Sequence, residues 1–271
     1  MIIDDNVCMR CFIKGIRHRD TEGTEERGSF ARVLRLASRL AGGYVIIGRD
    51  ARRNRSVLMT TFLLIRHATN DSVKAGSLAG RAKGVRLNDE GRAQAVALGE
   101  RLAGAPLARL YASPLERTLE TAAEIARHHP QLDVETREEI GEVDYGDWQG
   151  KSISELQRRK MWAVVQEYPS RARFPNGETM RGVQARIVNA IEALAQKHPS
   201  EMIALVFHAD LIKMALAHYL GMHLDVFQRI VVSPASISTL QLGHSRPFII
   251  SMNDIAHVLA LKRNQREATS G

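Results

Sequence analysis

The chain has 271 residues, 44% apolar and 25% charged, with a formal net charge of +8 at pH 7. That length allows one large domain or two small ones, and the composition excludes a disordered or collagen-like polymer. No apolar run approaches the ~18 residues of a membrane span, and two cysteines, Cys8 and Cys11, exclude a disulfide framework. The opening Met1-Ile2-Ile3-Asp4-Asp5 lacks the basic and apolar regions of a secretory signal, so no membrane partner and a cytoplasmic location are expected.

Residues 1–58 hold 12 Lys and Arg against 7 Asp and Glu, whereas the 26 basic and 23 acidic residues that follow nearly balance. A basic leader before a balanced body is a poor match to a nucleic-acid groove, and nucleic acid is not an expected partner. Cys8-Met9-Arg10-Cys11 is a lone CxxC, and His18 completes no common zinc spacing, so no metal is expected. Apolar residues at helical spacing over Phe30–Leu40, stopped by Gly42-Gly43, predict a helix, and polar Asp50–Arg55 a linker. The first convincing strand opens at Met59, the expected start of the natural protein. Three parts are expected: a basic, loosely ordered extension over 1–58, a main domain over 59–260, and a polar tail over 261–271.

The strand runs through Leu63-Leu64-Ile65 and ends abruptly in Arg66-His67. A long loop, Asp71–Leu87, follows; loops of this length inside a domain are usually functional. Asn88 caps a predicted helix to about Ala103, with Asp89 and Glu90 in its first turn. Leu107–Ala112 reads as a strand, and Ser113-Pro114 as a helix start with Ser113 as the cap. Leu132–Val134 is a short strand. Glu138–Gly150 is a glycine-punctuated loop dense in carboxylates. Ser152 with Glu155 forms a capping box, and a long amphipathic helix after Pro175-Asn176-Gly177-Glu178 reaches about Lys197. Met202–Phe207 is a second continuous apolar strand, ending in His208. A helix from Ala209 to Leu220 stops at Gly221, and strands near Ile237–Leu242 and Phe248–Ser251 complete the sheet.

Two apolar strands far apart in sequence thus each deliver a histidine at the carboxyl end, where open α/β sheets bind ligands. Arg66 precedes the first, and Ser113-Pro114-Leu115-Glu116-Arg117 brings a second arginine near a helix N-terminus. Two guanidinium forks and two imidazoles suit a tetrahedral phosphoryl group, and a neutral imidazole can attack phosphorus in line.

These segments together resemble the histidine phosphatase superfamily, the phosphoglycerate mutase-like proteins, over residues 60–257. The resemblance rests on Leu64–Asn70, on Gly80-Arg81 with Leu87–Ala95, on Ser113–Ala122, on Glu142–Gly150, on Pro175–Glu178 and on Val206-Phe207-His208. It implies an α/β three-layer sandwich, a mostly parallel sheet flanked by helices, a phosphohistidine intermediate and no cofactor. His67 is then the nucleophile, Glu142 the proton donor, and His208 the second histidine on the transferring group. Arg66, Arg117 and Asn70 bind phosphate, and Arg81 lines the substrate pocket. The chain departs from the family pattern at Ala68 and Ala209, where glycine is usual, and at Phe207, expected to reshape the pocket wall.

The expected function is a metal-independent phosphatase acting on a small phosphorylated metabolite; a homodimer is allowed. A phosphoglycerate mutase-type phosphomutase is the alternative enzyme, and a phosphate-binding module without turnover the alternative from another class. The short run Lys151–Phe174, where mutases carry a longer insertion, favours hydrolysis.

Overall fold

The structure, a computed structural model, describes residues 59–244 and 246–270. The CxxC, the helix over 30–40, the linker and the division at residue 58 lie outside the described residues.

Six strands form one mixed sheet in the order β3-β2-β4-β1-β5-β6. They are β1 (Met59–Arg66), β2 (Leu107–Ala112), β3 (Val134–Thr136), β4 (Met202–Phe207), β5 (Ile237–Gly243) and β6 (Phe248–Asp254). The expected mostly parallel arrangement holds for β3, β2, β4 and β1, whose three pairings are all parallel. β5 then reverses against β1, and β6 reverses again.

The helices are α1 (Asp71–Lys74), α2 (Asp89–Leu102), α3 (Glu116–Ala126), α4 (Ile153–Leu156), α5 (Lys160–Glu167), α6 (Met180–Lys197), α7 (Ala209–Tyr219) and α8 (Ala256–Ser270). Two apolar cores sandwich the sheet. Phe62 and Leu64 of β1 face one, with Val183, Ile187 and Ile191 of α6 and Leu211 and Met214 of α7. Leu63 and Ile65 face the other, with Leu98 and Leu102 of α2, Ile125 of α3 and Val258 of α8. This is why β1 reads as an unbroken apolar run: side chains alternate between faces, and both faces are covered. Full burial of each such side chain is worth about 1.5–3 kcal/mol, so the central strand is the firmest place to mount a reactive group.

Several boundaries differ from expectation. The loop after His67 begins with the single turn α1, too short to show a period. β3 is displaced from Leu132–Val134 to Val134–Thr136. Ser113 does not cap α3; the cap position falls to Leu115, which makes no side-chain cap bond. The stretch set apart as a polar tail lies, as far as Ser270, in α8.

Candidate active site

Register brings the two histidines together. Arg66 of β1 lies opposite Phe207 of β4, and the His67 amide donates to the Phe207 carbonyl at 2.9 Å. Both strands stop there, so His67 and His208 leave neighbouring strand ends, their ring centroids 5.4 Å apart. β2 ends beside them, with the Ser113 amide donating to the Val206 carbonyl at 3.0 Å.

The loop carrying His67 is pinned from two helices. The Ala68 amide donates to Thr121 Oγ1 at 3.1 Å, and the Thr69 amide to Gln94 Oε1 at 3.0 Å. Neither Ala68 nor Ala209 has a positive φ, so the methyl in place of the usual glycine strains neither turn. Phe207 is buried in the same core as Leu64 and Leu205 and is not a wall of the cavity, unlike the expectation.

His67 is buried, and its Nδ1 lies 2.8 Å from the Ala68 carbonyl. A carbonyl only accepts, so Nδ1 carries the proton and Nε2 keeps its lone pair. Burial first, then the positive charges of Arg117 and Arg66, hold the His67 pKa well below the ordinary 6.5. His67 is therefore a neutral imidazole at physiological pH. His208 is also pushed well down, first by burial and next by Arg117. Its Nε2 meets Ser113 Oγ at 2.8 Å, and its Nδ1 lies 3.4 Å from both Arg117 and Glu142 Oε2.

The arginines are held but not saturated. Arg66 donates from one terminal nitrogen to the Val232 carbonyl at 2.7 Å, and Arg117 from one to the Gly80 carbonyl at 2.8 Å. Arg66 Nε and the other terminal nitrogen of Arg117 are buried without partners. Such orphaned donors cost about 1–3 kcal/mol each, more when charged, and an anion brought between them removes that cost.

Glu142 is partly buried against this cluster, 3.8 Å from Arg117. Burial raises its pKa from 4.5 to about 7; Asp210 adds to the rise, while Arg117, the Val143 amide and Arg66 oppose it. A carboxyl that titrates near neutrality can give up a proton and take one back. The Tyr145 hydroxyl donates to Asp210 Oδ2 at 3.0 Å, fixing that neighbouring charge.

A cavity of about 530 Å³ opens here, lined by Arg66, His67, Asn70, Arg117 and Glu142 and continuing along Trp162, Phe174 and Ile230. It is several times larger than a phosphate group and leaves room for a leaving group with apolar surface. Asp210, Lys213 and Gln228 give it a polar flank. Asn70 spends its Oδ1 on capping α1, taking the Val73 amide at 2.9 Å. Arg81 is not a wall of the cavity; its guanidinium donates to the Glu142 carbonyl and to Glu178. His208 is fully buried and reaches the site through Arg117 and Glu142. Trp148 packs against Phe174 and Trp162 and lines the cavity with them. Among the described residues, no group of three or more His, Cys, Asp or Glu is placed to hold a metal ion.

Sequence reasoning passed over Ser113, Thr121, Gln94 and Asp210 as parts of the site. Gln94 and Thr121 did carry a signal. Each lies on the buried face of its helix, Gln94 with Ala95 and Leu98 in α2 and Thr121 with Ala122 and Ile125 in α3, where a polar residue needs a partner.

The family model for the histidine phosphatase superfamily (branch 1) matches residues 62–255. The chain belongs to the histidine phosphatase superfamily. Phosphoserine phosphatase 1 of Hydrogenobacter thermophilus is 28% identical over 205 residues, covering 74% of this chain and 95% of that one. A metal-independent phosphoserine phosphatase of Arabidopsis thaliana is 27% identical, covering 77% and 87%. Among solved structures, YhfR of Bacillus stearothermophilus superposes with a TM-score of 0.69 at 26% identity, covering 73% of this chain and 99% of that one. These histidine phosphatases are enzymes, and the sheet with its crossing helices is their fold. Among the described residues no helix is long and apolar enough to cross a membrane.

Proposed function

We propose that this histidine phosphatase is a metal-independent hydrolase of small phosphate monoesters, working in the cytoplasm through a phosphohistidine on His67. The observation that carries the reading is the neutral His67 flanked by two buried guanidinium N–H donors without partners. In the first step the Nε2 lone pair forms an N–P bond as the P–O bond to the leaving group breaks. Glu142 donates its proton to the departing alkoxide. In the second step water attacks phosphorus, loses a proton to the Glu142 carboxylate, and the P–N bond breaks to restore neutral His67. Arg66, Arg117 and His208 hold the phosphoryl oxygens throughout, so stabilisation comes from preorganised charge. Asn70 is read as a further phosphate contact at the cavity wall.

Phosphoserine leads the substrate candidates. The two relatives above carry that activity in their names. Asp210 and Lys213, of opposite charge and 3.5 Å apart, line the cavity where an ammonium and a carboxylate can both be met. Short helices α4 and α5 occupy the run where mutases carry their longer insertion, leaving water access to the intermediate.

The test supplies phosphoserine, 3-phosphoglycerate with catalytic 2,3-bisphosphoglycerate, and p-nitrophenyl phosphate in the presence of EDTA. The expected result is phosphate release together with acid-labile phosphate on the protein. Isomerisation of 3-phosphoglycerate outrunning phosphate release would favour the mutase. Phosphate binding without turnover would leave only a binding module.

A further inference from the structure

The segment that carries Glu142 has no ladder to hold it. It leaves a single 3₁₀ turn over Glu138–Ile140 and runs irregularly to the next turn at Gly146–Trp148. Three of its carbonyls, those of Glu139, Gly141 and Glu142, nonetheless take donors from two arginines. Arg186 of α6 donates to the Glu139 carbonyl at 2.8 Å, to the Gly141 carbonyl at 2.9 Å and, more loosely, to the Glu142 carbonyl at 3.5 Å. Arg81 Nε donates to the same Glu142 carbonyl at 2.8 Å.

One carboxylate ties these guanidiniums together. Glu178 takes Arg186 in a two-pronged pair, both contacts 3.0 Å, and takes Arg81 at 3.1 Å. Its Oε2 also accepts the Asp144 amide at 2.9 Å, and the Glu178 amide donates back to the Asp144 carbonyl at 2.9 Å. The backbone is therefore gripped on both sides of Glu142. Glycines allow the two loops to approach this closely. A Cβ at Gly146 would run into the Pro175 carbonyl, and one at Gly177 into the Asp144 carbonyl. The neighbour of Arg81 extends the connection: the Gly80 carbonyl takes Arg117 at 2.8 Å. The dipeptide Gly80-Arg81 thus touches the phosphate-binding arginine with one residue and the acid's backbone with the next.

We propose that Arg81, Glu178 and Arg186 are positioning residues, a clamp that fixes the backbone of Glu142 so that its carboxyl meets the leaving-group oxygen. The proposal rests on the reading of Glu142 as the general acid. None of the three lines the cavity, and their side chains bond to one another and to the backbone of residues 139–144. Glu178 is thereby a holder of the acid loop and not a second acid, since its two oxygens carry four donors. Proton transfer requires heavy atoms at hydrogen-bond distance, and a misplacement of about 1 Å can cost on the order of 10²-fold. Two guanidiniums and one carboxylate at the protein surface achieve on a loop what strand pairing achieves for His67.

The experiment compares phosphoserine, a poor leaving group, with p-nitrophenyl phosphate, which departs with little help. It uses the full chain and the variants Glu142→Gln, Glu178→Gln, Arg81→Met and the double variant Glu142→Gln/Glu178→Gln. Arg81 is well exposed, so its truncation tests the clamp without a folding risk. Glu178→Gln and Arg81→Met are expected to lower kcat on phosphoserine by about 10- to 100-fold and on p-nitrophenyl phosphate by less than about 3-fold. In the Glu142→Gln background, Glu178→Gln should cost less than about 2-fold more on phosphoserine, because the acid it positions is gone. Equal losses on both substrates, or full additive loss in the double variant, would overturn the clamp while Glu142 stays the acid. A Glu142→Gln enzyme that loses equally on both substrates would remove the acid assignment itself, and the clamp's catalytic role with it.

Discussion

The two halves of the site are built in different ways. The proposed phosphate-binding half stands on strand ends: His67 and His208 leave β1 and β4 one register step past their last pair, and Ser113 leaves β2. Their positions follow from a hydrogen-bonded sheet buried on both faces. The proposed acid half stands on an irregular segment in which the Glu139, Gly141 and Glu142 carbonyls are met by Arg81 and Arg186. A sheet transmits position through the backbone, so side chains at its ends inherit the rigidity of the core. A loop must acquire its rigidity from long side chains, one bond at a time. The two halves should therefore fail differently. Damage to the strand-end half should slow every substrate alike, because every substrate carries the phosphoryl group. Damage to the loop half should follow the leaving group.

The largest loss belongs to the strand-end half. His67→Ala removes the atom proposed to form the N–P bond, and turnover is expected to fall by about 10⁴-fold or more on both kinds of substrate. Acid-labile phosphate on the protein should disappear as well. Phosphoenzyme formed by this variant at the wild-type level would move the nucleophile elsewhere and break the comparison at its root.

Titration of Glu142 gives a mid-sized effect confined to the loop half. Its carboxyl titrates at 4.5 ordinarily and at about 7 in the folded protein. Between those values the native state holds a proton that the unfolded chain has lost, so native protons outnumber unfolded ones and stability falls as pH rises. This single group contributes a loss of about 3 kcal/mol across the window from pH 4.5 to 7, and nothing further above it. Glu142→Gln has no such proton. The difference in unfolding free energy between variant and wild type is expected to move in the variant's favour from pH 5 to pH 7.5, in denaturant titrations at each pH. A flat difference would mean that Glu142 is ionised throughout. Turnover of phosphoserine should decline above about pH 7 for the same reason, as the donor form is lost.

The contrast also decides what was legible in the sequence. β1 and β4 announce themselves as continuous apolar runs because both of their faces are covered, and Arg66, His67 and His208 mark their ends. The reversal at β5 was not legible, since a short apolar strand carries no sign of its direction. α8 was missed because its described side chains are mostly polar, with His257 and Val258 its buried contacts. Ser113-Pro114 matched a local helix-start pattern, yet the Ser113 hydroxyl pairs with His208, a partner 95 residues away. The clamp was the least legible part. Arg81 reads as a substrate ligand and Glu178 only as one residue of the Pro175–Glu178 motif, because the pairings that occupy them span up to 97 residues with no period to reveal them.

The smallest expected effect returns to the strand-end half and sharpens the comparison. Ser113 is fully buried, and its hydroxyl is the partner of His208 Nε2 at 2.8 Å. Ser113→Ala leaves the strand end in place, because the amide bond to the Val206 carbonyl does not involve the side chain. It deprives the imidazole of one of its two anchors and leaves a buried ring nitrogen unpaired, worth about 1–3 kcal/mol. Part of that cost falls on stability and part on the orientation of the Nδ1 proposed to meet the phosphoryl group. A reduction in kcat/KM of about 3- to 10-fold follows, roughly one hydrogen bond's worth of positioning. It should be the same within a factor of two for phosphoserine and p-nitrophenyl phosphate, with a matching weakening of inhibition by inorganic phosphate. Because Nδ1 of His208 also lies 3.4 Å from Glu142 Oε2, a competing outcome is concrete. If Ser113→Ala hurts phosphoserine alone and leaves phosphate inhibition intact, His208 serves the acid and not the phosphoryl group. The division between the halves would then run through the middle of that imidazole.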